Sequence, residues 1–444
     1  MYSIGFISLG CDKNRVDSEI MLAKLSKNGY NITNKAEEAD VIIINTCGFI
    51  ESAKLESIET ILEMAKNKEN RCKSIIVTGC MAQRYKEELI KEMPEIDAIV
   101  GVGSYKDICN VVEETLKGNK GIVRIYPLDF KIEQEERMLT TPNHYAYLKI
   151  AEGCNNNCSY CIIPKIRGRY RSKNMNDIIN EAKDLVKKGV KEIILVAQDT
   201  TMYGIDIYGK RMLSELLHEL EKIEGLHWIR VMYCYPEQIN EELINTIKES
   251  NKILHYFDIP IQHISDKILK KMNRRTTKQQ ILSLIKNIRN KIPDAIIRTS
   301  IIVGFPGESD KDFEELKAFL YEYKLERVGI FTYSPEEGTE AFHMKEQVDE
   351  KIKKIRLDIL MKQQAKISFA KNKQMVGKTF DVIIDGLNNK GLYYGRTYAD
   401  APEVDQNVFI KTSKKLKNGD FVKVKIIEAY TYDLIGEIED ESSK

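Results

Sequence analysis

The sequence predicts an α/β protein in three parts: an N-terminal parallel α/β layer, a central partial (β/α) barrel and a C-terminal small OB-like β-barrel. Three observations carry this. Short apolar runs alternate with amphipathic helical patterns at the start of the chain, about six βα repeats follow, and from about Lys378 strand patterns continue with no helices between them. The length agrees, since 444 residues at roughly 150 per domain suggests about three domains.

In the first part the runs SIGFISL, VIIIN and SIIVTG read as strands, with DSEIMLAKLSKNG and ESIETILEMAKNK as the helices between them. The charged segment Asp129 to Thr141 has weak periodicity and reads as a linker, closed by Pro142. The pattern restarts at Tyr145 with AYLKIAEG, IILVAQD, WIRVMYC, YFDIPIQ, AIIRTSIIVGF and VGIFTYS as strands. Stretches such as NDIINEAKDLVKKG and KDFEELKAFLYEYK are the helices. This suggests a partial or complete parallel barrel working at the C-terminal ends of its strands, with an open doubly wound sheet as the alternative. A long helical pattern, VDEKIKKIRLDILMKQQAKISFAKNKQMVG, is expected to pack on the barrel through Val348, Ile352, Ile355, Ile359 and Leu360. The runs TFDVIID, LYYGRTY, NVFIKT, FVKVKIIEA and DLIGEI, with glycine or Asn-Gly turns, then predict the closing five-stranded barrel.

Composition narrows the class. Hydrophobic residues at 43% and charged residues at 30% describe a folded soluble chain with ample core. The N-terminus lacks the basic region of a signal peptide and nothing reads as a membrane span, so a cytoplasmic location is expected. In a reducing compartment nine cysteines point to metal ligands or reactive thiols before disulfides. A net charge of +1 gives no global attraction to polyanions.

Two cysteine patterns carry chemistry. GCNNNCSYC places Cys154, Cys158 and Cys161 in a C-x3-C-x2-C loop directly after a predicted strand. Such a loop can wrap three thiolates around one face of an iron-sulfur cube, leaving one iron open to a cofactor; a structural zinc site with a fourth ligand from elsewhere is the alternative. The loop is similar to that of the radical S-adenosylmethionine enzymes. Cys11, Cys47 and Cys80 each sit just past a predicted strand, so a parallel sheet would bring them to one edge. Chance placement of three core cysteines is the competing reading. Cys72, Cys109 and Cys234 show no such arrangement.

Together these segments resemble the methylthiotransferase family of radical enzymes across nearly the whole chain. SLGCDKNRVDSE, TTPNHYAYLKIAEGCNNNCSYCIIPKIRGRYRS, LVAQDTTMYG and GRTYADAPEVDQNVFI look like the branch that methylthiolates an aspartate of protein 12 of the small ribosomal subunit. The branch acting on tRNA adenosine typically has glutamine and methionine where this chain has Asp12 and Lys13. One departure is Gln406-Asn407, where the resembled branch commonly has glycine after the aspartate.

The resemblance implies an N-terminal methylthiotransferase iron-sulfur domain at 1–128, a radical S-adenosylmethionine barrel with its following helix at 142–375, and a TRAM domain at 376–444. It implies two 4Fe-4S clusters, one on Cys11, Cys47 and Cys80 and the other on Cys154, Cys158 and Cys161. It also implies an S-adenosylmethionine pocket including Tyr160, Gln198, Asp199, Gly304, Pro306 and Gly307. His263 reads as a structural histidine. No acid-base residue is implied; an electron donor protein is. In the tail, lysines such as Lys411, Lys414, Lys415, Lys417, Lys423 and Lys425 are slightly outweighed by acids including Asp400, Glu403, Asp405, Glu437, Glu439, Asp440 and Glu441. That balance favours a basic protein substrate over tRNA. The rival readings are a tRNA adenosine methylthiotransferase and a non-catalytic, zinc-stabilised RNA-binding protein.

Overall fold

A computed structural model describes residues 1–439. Asp440, Glu441 and the rest of 440–444 lie outside the described residues. The N-terminal part is a six-stranded sheet in the spatial order Asn31–Thr33, Ser3–Ser8, Val41–Thr46, Ser74–Gly79, Ala98–Val100, Ile122–Arg124, every neighbouring pair parallel. Val41–Thr46 and Ser74–Gly79 are buried on both faces, which is why they read as unbroken apolar runs. Three strands absent from the sequence reading, at the two edges and beside one of them, have only three residues each, too few to show a period.

The central part holds six parallel strands that follow one another in space as they do in sequence. Tyr145–Lys149, Glu192–Val196 and Trp228–Val231 form one sheet, and Tyr256–Asp258, Ile296–Val303 and Arg327–Thr332 the other. The two meet where Ile229 bridges Ile253. A doubly wound sheet would reverse strand order at a switch point, so the arrangement is a partial barrel. The last part is a closed barrel of Thr379–Leu387, Tyr393–Arg396, Asn407–Lys411, Phe421–Ala429 and Asp433–Ile438. No helix among the described residues is long and apolar enough to cross a membrane.

The three parts share a core. Ile4 and Val16 from the first, Tyr147, Ile194, Met232 and Tyr256 from the second, and Ile383 and Ala401 from the third belong to one buried apolar cluster. The loop 129–141 has no regular structure, as expected of a linker, yet it is strapped down. Arg137 is buried and donates to Glu19 at 2.6 Å and to Glu181 at 2.6 Å, while the Met138 N–H donates to the Glu19 carbonyl.

The helix Glu350–Lys373 corrects the sequence reading. Ile352, Ile355 and Ile359 are exposed, and the face against the barrel is Lys353, Arg356, Leu360, Gln364, Ile367, Ser368 and Asn372. The inward polar groups are consumed by backbone and carboxylate partners: Gln364 donates to the Leu325 carbonyl, Arg356 to Glu308, Ser368 to the Thr431 carbonyl, and Asn372 to Gln406 and the Tyr430 carbonyl. Unpaired carbonyls at strand and loop ends outweigh apolar burial here.

The tail's charge balance also reads differently in three dimensions. Asp385 and Asp400 pair with Arg396 and Arg327, Asp405 lies 3.6 Å from Arg298 and accepts from the Tyr256 hydroxyl, and Glu403 pairs with Arg15. Asp385, Asp400 and Asp405 are thus drawn inward by arginines, whereas Lys411, Lys414, Lys415, Lys417, Lys423 and Lys425 are all exposed, as are Glu403, Glu437 and Glu439. The outer surface of the tail therefore carries relatively more lysine than its summed charge suggests.

Candidate functional site

Each of the first three cysteines leaves the C-terminal end of a neighbouring strand beside a glycine. Cys11 is the N-cap of the helix Asp12–Lys27, Cys47 follows Val41–Thr46, and Cys80 opens the turn of helix after Ser74–Gly79. The glycines let the loops touch. A Cβ on Gly48 would stand 2.9 Å from the Met81 backbone, and one on Gly79, at φ 93°, would stand 2.2 Å from Asn45 Oδ1. Asn14 ties the loops together, its amide donating to the Leu9 carbonyl at 3.1 Å and the Thr46 carbonyl at 3.0 Å.

The barrel cysteines lie in a loop after the short strand Ala151–Glu152. The Cys154 N–H donates to the Gly168 carbonyl and the Cys161 N–H to the Cys158 carbonyl. The Ser159 N–H bonds to the Met272 carbonyl, and the Ser159 carbonyl accepts from the Ala341 N–H, so the middle of the loop is pinned on both sides. The Cys158 thiol faces Arg274 at 3.9 Å and the Tyr235 hydroxyl at 3.8 Å.

Both sets open on one cavity of about 300 Å3 between the N-terminal sheet edge and the C-terminal ends of the barrel strands. Cys11, Cys47, Cys80, Cys154 and Cys161 line it, as do Tyr160 and Gln198; Cys158 lies behind the wall. Asp199, Gly304, Pro306 and Gly307 are not part of the lining. Asp199 instead accepts from Asn156 of the cysteine loop at 2.8 Å, and burial pushes its carboxyl up to about 6 against the hydrogen bonds from Thr201 and Asn156. The Gly304 N–H donates to Glu308, and Gly307 stands against Lys271 and Glu346. That loop reaches the site through Phe305, which meets the Tyr160 ring edge-to-face at 6.4 Å. His263 is buried and its Nδ1 accepts from the Ser265 N–H, while its Nε2, 3.7 Å from Glu308, has no hydrogen-bond partner among the described residues.

The donor chemistry fits inorganic cores with a positive charge to share. Burial and the neighbouring Cys80 push the Cys47 thiol up to about 12, and burial, with Asp199 and Cys158 nearby, does the same for Cys154. Three such thiols ionise together only when a metal core takes up their charge. Among the described residues no group of three or more His, Cys, Asp or Glu closes on a single metal ion. The pocket also fits a cofactor bearing an ammonium group, because Gln198 Oε1 is buried without a partner while its amide is spent on Glu152.

Between the two sets lies a buried ionic cluster that sequence reasoning missed. Arg167 donates to Asp17 at 2.7 Å, Glu152 at 3.1 Å and the Cys80 thiol at 3.3 Å, and also to Asn14. Lys149 bonds the same two carboxylates. Burial alone would raise Glu152, but Arg167 and Lys149 hold it well below the usual carboxylate range. Two cations against two anions balance the charge of the cluster. Asn14 and Asp17 come from the first part and Lys149, Glu152 and Arg167 from the second, so the cluster locks the two halves of the cavity together.

Family models match three successive segments: an uncharacterized protein family, UPF0004, over residues 3–101, the radical SAM superfamily over 148–320, and a TRAM domain over 376–438. Curated relatives match the full length. The protein of Thermoanaerobacter sp. (strain X514) named ribosomal protein uS12 methylthiotransferase RimO is 54% identical, covering 98% of this chain and 100% of that one. Its namesake in Clostridium botulinum (strain Eklund 17B / Type B) is 56% identical over 100% and 99%. The chain belongs to the RimO family. A further RimO, of Clostridioides difficile (strain 630), is 53% identical over 99% of both chains. Among solved structures, the radical S-adenosylmethionine methyltransferase TsrM of Kitasatospora setae shares the fold, with a TM-score of 0.58 at 11% identity over 77% of this chain and 74% of that one. Membership of the RimO family sets aside the zinc-stabilised RNA-binding reading. Within this RimO-family chain, Asn14 and Arg167 lay in the quoted motifs, but spacing alone gave them no role.

Proposed function

We propose that the chain methylthiolates the β-carbon of an aspartate in ribosomal protein uS12, with two 4Fe-4S clusters and S-adenosylmethionine as cofactors. The observation that carries this reading is the shared cavity, faced by three candidate ligands from the sheet and two from the barrel. The activity named for the relatives supports uS12 as the substrate. An aspartate β C–H bond is unactivated and lies beyond side-chain acids and bases. When bound, the clusters and S-adenosylmethionine supply a 5′-deoxyadenosyl radical and a methylthio group for it.

The chain's residues hold, orient and enclose. Cys11, Cys47 and Cys80 would hold one cluster and Cys154, Cys158 and Cys161 the other. Tyr160, backed by Phe305, offers an aromatic wall to adenine. Gln198, whose buried Oε1 has no partner, would hold the cofactor's ammonium group. Asp199 orients the cysteine loop through Asn156, and Gly304, Pro306 and Gly307 shape the loop that carries Phe305. The cluster around Arg167 keeps both cysteine sets facing one enclosed volume. On this reading the working boundaries are 1–128, 142–375 and 376–444. An electron donor protein delivers the reducing equivalents, and the enzyme meets its ribosomal substrate in the cytoplasm without tRNA or membrane.

The test is mass spectrometry of uS12 after anaerobic incubation with reconstituted enzyme, S-adenosylmethionine, sulfide and reductant, with bulk tRNA in parallel. A methylthio group on one aspartate is the expected result. Methylthiolated adenosine with unmodified uS12 would overturn the substrate assignment.

A further inference from the structure

The cavity also holds a buried lysine beside the candidate ligand Cys11. Lys13, from the N-terminal helix, reaches across the boundary between the first two parts, and its ammonium sits 3.4 Å from the centre of the Tyr233 ring. Lys13 and Tyr233 both line the cavity. The side chain of Lys13 is only 9% exposed, and its one carboxylate partner is its chain neighbour Asp12, at 2.8 Å. An ammonium has three hydrogens. Asp12 takes one and the ring face another, which leaves one for a ligand.

The other cations of the cavity are each held by a carboxylate from another element. Arg298 is held by Asp258 at 2.8 Å, and Arg167 by Asp17 and Glu152. The seat under Lys13 is built with strain. Tyr233 has φ 61°, in the left-handed region that a bulky aromatic rarely enters, just past the end of the strand Trp228–Val231. Its N–H is fixed by Asp258 Oδ2 at 2.9 Å, and its carbonyl accepts from the Thr200 N–H. Asp258 is itself held by Arg298. A conformation maintained against strain by two partners, and aiming a ring at a buried cation, indicates function more than packing.

We infer that Lys13, seated on Tyr233, binds the side-chain carboxylate of the substrate aspartate and so selects aspartate and fixes its β-carbon in the cavity. The inference rests on the proposed aspartate substrate. A carboxylate on a buried ammonium forms an ion pair, whereas the isosteric asparagine offers only a neutral amide oxygen and brings an amide N–H2 with no acceptor there. S-adenosylmethionine also carries a carboxylate, and the experiment separates the two.

The measurement is anisotropy of labelled uS12 binding to anaerobic, cluster-loaded enzyme with S-adenosylmethionine present. It compares uS12 with a variant whose modified aspartate is asparagine, for wild type, Lys13→Met, Lys13→Arg and Tyr233→Leu. Wild type is expected to favour the aspartate form by about tenfold or more. Lys13→Met should erase the preference, Lys13→Arg retain it, and Tyr233→Leu weaken it. Iron content of each variant is measured alongside. If Lys13→Met loses iron, Tyr233→Leu, far in sequence from any candidate ligand, carries the test. Preference unchanged in an iron-replete Lys13→Met or Tyr233→Leu overturns the inference, as does a loss confined to S-adenosylmethionine affinity measured without uS12. Wild type that leaves uS12 unmodified overturns the substrate reading itself, and the inference with it.

Discussion

At the scale of single residues the two cysteine sets differ in access. Cys11 is exposed, Cys47 and Cys161 are half-buried, and Cys80, Cys154 and Cys158 are buried. Thiol alkylation requires both access and thiolate. In metal-free protein, limited iodoacetamide followed by peptide mass spectrometry should therefore label Cys11 first among these six and Cys80, Cys154 and Cys158 last. Their roles should also separate. Replacing Cys154, Cys158 or Cys161 by Ala is expected to abolish reductive cleavage of S-adenosylmethionine, measured as 5′-deoxyadenosine, and product with it. Replacing Cys11, Cys47 or Cys80 by Ala should leave the cleavage and remove methylthiolated uS12. Loss of cleavage in an iron-replete, folded Cys47→Ala protein would contradict this division.

At the scale of elements the strap 129–141 makes the sharpest case. Composition marked it as a solvated linker, because its charges outnumber its apolar residues, and nothing in a local pattern reports that Arg137 finds two carboxylates distant in sequence. Arg137→Ala would leave Glu19 buried with no cation among the described residues, while Glu181 keeps Lys173. Breaking a buried pair from one side typically costs about 3–5 kcal/mol, so urea unfolding should show a loss of that order; a change below about 1 kcal/mol, as for a surface pair, would show the strap to be incidental. The helix Glu350–Lys373 escaped for the complementary reason. Its isoleucines advertised an apolar stripe, while the face that matters is polar and declares itself only beside the carbonyls of Leu325, Tyr430 and Thr431. The strands Val41–Thr46 and Ser74–Gly79, by contrast, were legible because burial on both sides leaves an apolar run too continuous to misread.

At the scale of the molecule, the closed barrel caps the N-terminal ends of the central strands through buried ions. Arg396 bonds Glu192 at 2.6 Å and Asp385 at 2.7 Å, Asp385 also faces His144 at 2.7 Å, and Glu192 accepts from Arg230. Burial opposes ionisation of Asp385, but Arg396 outweighs it and holds the carboxyl below its ordinary value. The stabilisation is therefore complete above the unfolded pKa of about 4 and is lost as pH falls through the depressed folded value. Asp385→Asn should cost about 2 kcal/mol at neutral pH, and the thermal unfolding curves of variant and wild type should begin to approach each other below about pH 4 and meet only once the pH has passed the depressed folded value. A gap independent of pH would remove the carboxylate from the explanation. The convergence of Cys11, Cys47 and Cys80 on one edge was legible from their place at the strand ends, and three glycine-flanked loops explain why they meet. The ionic joints between parts were not legible, since each joins residues whose separation in sequence exceeds any local period.

Those joints bear on inheritance. Arg230, Arg298 and Arg327 at the base of the central strands meet the Tyr398 carbonyl, Asp405 and Asp400 of one loop in the terminal barrel. A chimera that exchanges the last domain between relatives would have to transfer both sides of this lock. Recombination at the obvious boundary near residue 376 should therefore yield viable offspring only between parents that already share the arginines and the acidic loop.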